Sequence, residues 1–252
     1  MERWVGRVAL VTGASVGIGA AISRKLVQNG MTVVGCARNV EQIQEIANDL
    51  KSEKGKLIPM RCDLTREEDI LDVFGRVKKE LGGVDVMVNN AGLSHNAPLL
   101  TGSTQDWRNM LEVNVLALSI CSREAVKQMR ERNVDDGHIF LVSSMSGHRV
   151  IPNSPGHFYS ATKHAVKGLT DGLRNELREI KSHIRVTALC PGLVHTEFQK
   201  RMYQSEEMGN KICSMFKCLE ADDVADALVY ALGAPPHVQI HDILFRPTEQ
   251  IS

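Results

Sequence analysis

Short, nearly continuous apolar runs alternate along this chain with longer stretches in which apolar residues recur every three or four positions. The runs predict strands near 7–12, 32–37, 57–62, 84–89, 138–143 and 184–190, with a last short strand near 240–244. Helices are predicted in the gaps. The stretch 20–28 carries Ile22, Leu26 and Val27 at helical spacing and stops at Asn29-Gly30, a C-terminal signal. Apolar strands alternating with amphipathic helices predict a parallel sheet covered on both faces, with a ligand crevice at the carboxyl ends of the strands. No repeat, low-complexity run or linker interrupts the pattern, so residues 1–252 are expected to form one domain.

Composition narrows the classes further. With 252 residues, 43% hydrophobic and 24% charged, the chain is long enough for one sizeable core. Thirty Lys plus Arg balance thirty Asp plus Glu, so no global field recruits nucleic acid or an anionic membrane, and nucleic acid is not an expected partner. No apolar run approaches the roughly 20 residues that span a bilayer. Residues 1–7 lead into the first strand too soon for a signal peptide. Cys36, Cys62, Cys121, Cys190, Cys213 and Cys218 lack Cys-x-x-Cys pairing and are expected as buried, reduced thiols. Together these features predict a cytoplasmic protein without a membrane span.

Two local patterns carry chemistry. The first strand runs into Thr12-Gly13-Ala14-Ser15-Val16-Gly17-Ile18-Gly19 and then a helix, an order in which bare backbone and the helix start would face an anion such as pyrophosphate. Tyr159 and Lys163 stand four residues apart, on one face of a predicted helix. A tyrosine titrates near ~10, so a neighbouring cation is what would let it exchange protons at neutral pH. Ser144, at the end of the apolar run 139–142, can bring a hydroxyl to the same place.

With both patterns in hand the sequence resembles the classical short-chain dehydrogenase/reductase family over nearly its whole length. The motifs that carry the resemblance fall in the family's order. They are the glycine turn; Asn89-Asn90-Ala91-Gly92 after the fourth strand; Asn114; Ser144 with Tyr159 and Lys163; and Pro191-Gly192 with Thr196. The resemblance implies an α/β Rossmann-type doubly wound domain whose seven-stranded parallel sheet runs in the order 3-2-1-4-5-6-7.

It also implies a nicotinamide dinucleotide, held by Gly13, Ser15, Val16, Gly17, Ile18, Gly19, Arg38, Asn39, Asp63, Leu64, Asn90, Ala91, Gly92, Tyr159, Lys163, Pro191, Gly192, Val194 and Thr196. After the second strand stand Ala37 and Arg38, where relatives preferring NAD usually carry an acidic residue. A guanidinium there can grip a 2′-phosphate, so NADP (NADPH) is the expected cofactor. Val16 occupies the place of a second basic residue found in many NADP users, so the choice is expected to rest on Arg38. Asp63 and Leu64 are expected at adenine, and Asn89 in a structural role.

The catalytic roles implied are these. Tyr159 exchanges a proton with the carbonyl or hydroxyl oxygen; Lys163 lowers the Tyr159 pKa and holds the nicotinamide ribose; Ser144 orients the substrate oxygen; the Asn114 side chain holds a water that connects Lys163 to solvent. Ser143 and Ser146 are fallbacks for Ser144. No metal is expected. The segment 193–218, with Val194, Phe198, Met202, Tyr203, Met208, Ile212, Met215 and Phe216, is expected either to cover an apolar substrate or merely to pack two short helices. Leu93, His95, His148, His157 and Phe158 are further pocket candidates.

More narrowly, the chain is similar to a subgroup that includes insect farnesol dehydrogenases and the vertebrate family member eleven. Arg123-Glu124-Ala125, Gly147-His148, the run 162–166 and the tail 246–250 carry that likeness. It implies a small-molecule substrate among isoprenoid alcohols, steroids and dicarbonyls. Competing expectations are a reductase of 3-oxoacyl thioesters, a sugar-nucleotide epimerase, and a non-catalytic NADP-sensing or scaffold protein. A homodimer or homotetramer is implied, through helix faces near Leu111, Val115, Leu118 and Ile120 and near Ala165, Leu169 and Leu173, which could equally pack on the sheet.

Overall fold

The alternation of residues along the strands sorts the core into two layers. In the computed structural model, which describes residues 1–251 apart from the side chain of Cys213, the strands are β1 (Val8–Thr12), β2 (Thr32–Ala37), β3 (Lys56–Arg61), β4 (Val86–Asn89), β5 (His138–Val142), β6 (Arg185–Pro191) and β7 (Asp242–Phe245). Every position of β1, β4, β5 and β6 is buried. Ala9 and Val11 of β1 join one apolar cluster while Val8 and Leu10 join the other, as a two-residue repeat requires. The pairing is parallel throughout, in the order β3-β2-β1-β4-β5-β6-β7. The expected topology and all seven strands are therefore present.

Helices cover both faces. On one side lie α1 (Gly17–Gln28), α2 (Val40–Asp49) and α9 (Ala221–Gly233), whose Ile22, Leu26, Ile43, Val224 and Leu228 share a cluster with Val33, Val88 and Leu189. On the other lie α3 (Glu67–Leu81), α5 (Leu118–Glu131) and α6 (His157–Glu179), whose Phe74, Val77, Cys121, Ala125 and Val166 pack on Leu10, Met87 and Ile139. The remaining helices are α4 (Thr104–Leu111), α7 (Phe198–Tyr203) and α8 (Glu206–Cys213). Among the described residues no helix is long and apolar enough to cross a membrane.

The helix faces named as possible subunit contacts divide. Leu118 and Ile120 are buried in the core and Leu173 packs against it, whereas Leu111 and Leu169 face outward, together with Leu116. Cys36, Cys62, Cys121 and Cys190 are buried reduced thiols and Cys218 is buried too. The expectation for the Cys213 thiol lies outside the described residues.

The two edges of the sheet are built differently. At the amino-terminal edge, buried polar groups satisfy one another: Asp85 accepts from Val8 N at 2.9 Å and from Arg132 at 3.0 Å, and the Arg185 guanidinium donates to carbonyls at the end of α9. Such contacts hold the fold. At the carboxyl edge the chain instead opens a cleft, and the turn after β1 is its floor.

That turn depends on close backbone approach. Gly13 and Gly17 have φ of +66° and +55°, a region side chains disfavour. A Cβ at Gly19 would stand 2.2 Å from the Gly13 carbonyl oxygen and 2.5 Å from Asn90 Nδ2, both of them held in place. Gly19→Ala is therefore expected to cost about 1–3 kcal/mol of stability, read as a lower denaturant midpoint at unchanged slope.

Candidate active site

Thr12, the last residue of β1, joins two neighbouring strand ends. Its hydroxyl accepts from the backbone N–H groups of Asn90 and Ala91, each at 3.1 Å, while Asn90 Nδ2 donates to the carbonyls of Thr12 at 2.9 Å and Gly13 at 3.2 Å. Asn90 thus ties the glycine turn to the turn after β4. Asn89 has the structural role expected of it, its Nδ2 donating to Ser122 Oγ of α5 at 3.0 Å.

The strand order then lays the candidate residues out in sequence across the carboxyl edge: Asp63 after β3, Arg38 after β2, Gly13 after β1, Asn90 after β4, Ser144 after β5 and Pro191 at the end of β6. All line one cleft of about 900 Å³, with Ser15, Val16, Gly17, Ile18, Asn39, Leu64, Ala91, Gly92, Tyr159, Lys163, Gly192, Val194 and Thr196. Three strand spacings separate Arg38 from Ser144, roughly 14 Å. Gly19 and Asn114 do not line the cleft; they stand behind it and shape its wall.

At the β3 end, Asp63 Oδ1 accepts from the backbone and hydroxyl of Thr65 at 3.1 and 2.8 Å. Burial pushes its carboxyl up, but those bonds and the charge of Arg38 outweigh it and hold the group ionised. Asn39 has a second occupation: its Oδ1 accepts from Gln42 N and caps α2.

At the β5 end, Tyr159 and Lys163 project from α6, 7% and 4% exposed, with the Lys163 Nζ 5.6 Å from the centre of the Tyr159 ring. Here one expectation is corrected in direction: burial pushes the Tyr159 phenol well above its ordinary range, and the Ser144 hydroxyl opposes that rise. Lys163 is itself buried, and its Nζ donates to the Val142 carbonyl at 3.0 Å. Burial pulls the ammonium down to about 8, with Cys190 acting weakly against it.

Ser144 caps a short 3₁₀ turn through Met145–Gly147, its Oγ accepting from Ser146 N at 3.1 Å. That bond fixes the hydroxyl beside Tyr159. Ser143 and Ser146 also line the cleft, but Ser144 is the serine that acts on the phenol.

Asn114 lies in a π-helical stretch, Glu112–Ala117, a local widening often found at functional sites. Both its N–H donors are committed, to Leu93 O at 2.8 Å and Thr162 Oγ1 at 3.1 Å, and its Oδ1 accepts from Leu93 N at 2.9 Å. Its side chain therefore clamps the segment after Gly92 to α6. Only one Oδ1 lone pair is left for the water expected of it.

The segment after β6 packs as short helices and also contributes to the cleft wall. It folds as two short helices, α7 and α8, and Val194, Phe198, Met202, Tyr203, Ile212, Met215 and Phe216 line the cleft. Phe198 packs on the Tyr159 ring at 5.4 Å. Its two ends are pinned together, Val194 bridging Leu219 and His195 N donating to Leu219 O at 2.7 Å.

Four pocket candidates are misplaced. Met208 is exposed on α8, Phe158 stacks on Trp107, His148 faces Lys167, and His157 is at the start of α6; none lines the cleft, whereas Leu93 and His95 do. Short-range helical geometry explains Phe158: as Tyr159's neighbour it points about 100° away from it.

Other lining residues went unread in the sequence. Asn109 holds His95 Nε2 at 2.8 Å, Arg149 follows the Ser144 turn, and Gln250 reaches in from the carboxyl-terminal tail. Gln250 Oε1 accepts from Leu193 N at 2.9 Å, and a Cβ at Gly192 would stand 2.4 Å from it. Position between Ser144 and Tyr159 was a usable signal for Arg149. For Gln250, nearly 60 residues from the loop it holds, there was none.

A model of the short-chain dehydrogenase family matches residues 7–207. The chain is 57% identical over 255 residues to dehydrogenase/reductase SDR family member 11 of Gallus gallus, covering 100% of both chains. It is 45% identical to a farnesol dehydrogenase of Aedes aegypti, covering 98% of each. Among solved structures it is similar to the closed form of a serine dehydrogenase in complex with NADP+, at 30% identity and a TM-score of 0.88, over 97% of this chain and 96% of that one.

The Lys163 shift gives a stability signature. A lysine titrates near ~10.4 when unfolded and at about 8 in the folded chain. Between those values the unfolded state binds the proton and the folded state does not, so stability rises with pH across the window. Melting curves of the wild type and of Lys163→Met are expected to differ by an amount that shifts in favour of the wild type from about pH 8 towards pH ~10. A pH-independent difference would contradict the buried charge.

Proposed function

The chain belongs to the short-chain dehydrogenase family, and from that premise we propose that it is an NADP-dependent oxidoreductase interconverting alcohol and carbonyl groups on an apolar small molecule. The observation that carries the reading is the meeting of Ser144, Tyr159 and Lys163 in the same cleft as the glycine turn. The turn fits a dinucleotide: positive-φ glycines keep the floor bare, and the first amides of α1 open towards it. Gly13, Ser15, Val16, Gly17 and Ile18, backed by Gly19, form the phosphate end; Arg38, Asn39, Asp63 and Leu64 the adenosine end; Asn90, Ala91 and Gly92 the middle; Tyr159, Lys163, Pro191, Gly192, Val194 and Thr196 the nicotinamide end. When bound, the nicotinamide supplies or accepts the hydride.

The chain's own side chains manage the oxygen. A phenol kept protonated by burial serves as the acid in carbonyl reduction, giving its proton to the substrate oxygen while Ser144 orients it. Alcohol oxidation asks the reverse, so it gains as pH rises. Lys163 supplies the positive charge that steadies the phenolate left behind and holds the nicotinamide ribose. Asn114 keeps the Gly92–Leu93 wall in register and presents its free lone pair to the relay water.

Support for NADP comes from the exposed Arg38 beside Asp63, with Ala37 adding no carboxylate, and from the NADP+ held by the solved serine dehydrogenase. Support for an apolar substrate comes from Phe198, Met202, Ile212 and Phe216 in the covering segment and from the name of the farnesol dehydrogenase relative; isoprenoid alcohols, steroids and dicarbonyls fit that wall. We further take residues 1–252 as one functional unit, with 193–218 covering the substrate. A homodimer or homotetramer agrees with the outward Leu111, Leu116 and Leu169, and a reducing cytoplasmic setting with the buried thiols.

Tyr159→Phe keeps the ring and deletes the proton. Turnover of any ketone substrate is expected to fall at least ~10²-fold while NADPH binding, followed by fluorescence, is retained. Arg38→Ala is expected to raise KM for NADPH by roughly 10- to 100-fold, the worth of a charge-assisted phosphate contact, with little change for NADH. An equal effect on both coenzymes would remove Arg38 from the discrimination.

A further inference from the structure

We propose that Arg149 receives a carboxylate of the substrate, so that apolar oxo or hydroxy acids are turned over in preference to their own neutral esters. The inference rests on the oxidoreductase reading above and specifies its substrate class. Arg149 lines the cleft, partly buried, on the loop that follows the Ser144 turn. Its Nη2 donates to the Met145 thioether at 2.9 Å, and among the described residues no carboxylate pairs with it. A thioether is a weak acceptor, and a guanidinium presents five N–H donors.

The contrast with the other charged groups of the cleft sharpens the point. Arg201 pairs with Glu197 at 2.5 Å, Lys163 is bonded to Val142 O, Asp63 is bonded to Thr65, and His95 is bonded to Asn109. Arg149 keeps an unneutralised charge where burial raises the value of a counter-ion. Its place in the fold separates it from the coenzyme's phosphates: it follows β5, three strands from Arg38 and two from the glycine turn.

The same cleft is lined by Ile151, Phe198, Met202 and Phe216. One cation in such a wall balances one negative charge. A diphosphate would leave surplus charge poorly solvated, whereas a carboxylate matches both the charge and the planar fork of the guanidinium. The ligand so described has an apolar body, a carbonyl or hydroxyl at the Tyr159 end and a carboxylate at the Arg149 end.

The test uses ω-oxo acids of increasing chain length and their methyl esters, with NADPH, on the full chain and on Arg149→Gln and Arg149→Lys. At the best chain length the wild type is expected to prefer acid over ester in kcat/KM by about 10- to 100-fold, chiefly through KM. In Arg149→Gln the ratio falls to near one, and in Arg149→Lys it is partly restored. No acid preference in the wild type, or an equal preference in Arg149→Gln, overturns the proposal. Turnover of the esters at the same time shows that the oxidoreductase reading stands regardless. If neither acid nor ester is turned over, that reading fails for these compounds, and calorimetric titration of the NADPH-loaded protein with the saturated carboxylic acid decides the proposal. Binding weakened at least tenfold by Arg149→Gln supports it; absent or unaffected binding overturns it.

Discussion

The clasp between Thr12 and Asn90 is the constraint on which the rest of this structure depends. A hydroxyl at the end of β1 accepts two amides from the turn after β4, and a side-chain amide from that turn holds two carbonyls of the glycine turn. These bonds replace the ladder that the diverging strand ends give up. They fix the glycine floor, the wall at Ala91–Gly92 and, through Leu93, the Asn114 clamp onto α6. A shift at Thr12 would therefore be felt at Thr162 and its neighbour Lys163, which is bonded to β5, two strands away. Gly19, with no room for a methyl group, marks how tightly the parts close.

Within that frame Tyr159 and Lys163 are subject to opposing effects. Burial favours the neutral forms of both Tyr159 and Lys163; the Ser144 hydroxyl opposes it at the phenol and Cys190 at the ammonium. The cleft thus holds two groups whose ionisation burial disfavours, a pattern common at functional sites. Lys163 titrating at about 8 stands near the working range of a cell, so small changes in its surroundings alter its charge.

What the sequence made legible and what it hid divide along physical lines. Strand runs, the glycine turn and the i, i+4 pair are set by local geometry, and the parallel order follows from alternation; each of these is present where expected. The direction of the phenol's shift was hidden because it depends on how deeply α6 packs, which no spacing reveals. Asn114 was rightly placed near the site, yet its committed amide appears only once Leu93 and Thr162 are brought against it. Phe158 and His157 were misjudged by proximity in sequence to Tyr159, although a helix turns its neighbours away. Gln250 shows the opposite case, a contact made only by the fold.

The covering segment enters and leaves at one point, where Val194 and Leu219 are bridged. An excursion whose roots are that close can be lengthened, shortened or exchanged whole without disturbing the sheet, because closing a longer loop costs little extra free energy. This part of the cleft wall is in this sense a detachable cartridge on a permanent mount. Swapping it would reshape the cleft while leaving Ser144, Tyr159 and Lys163 beneath it untouched.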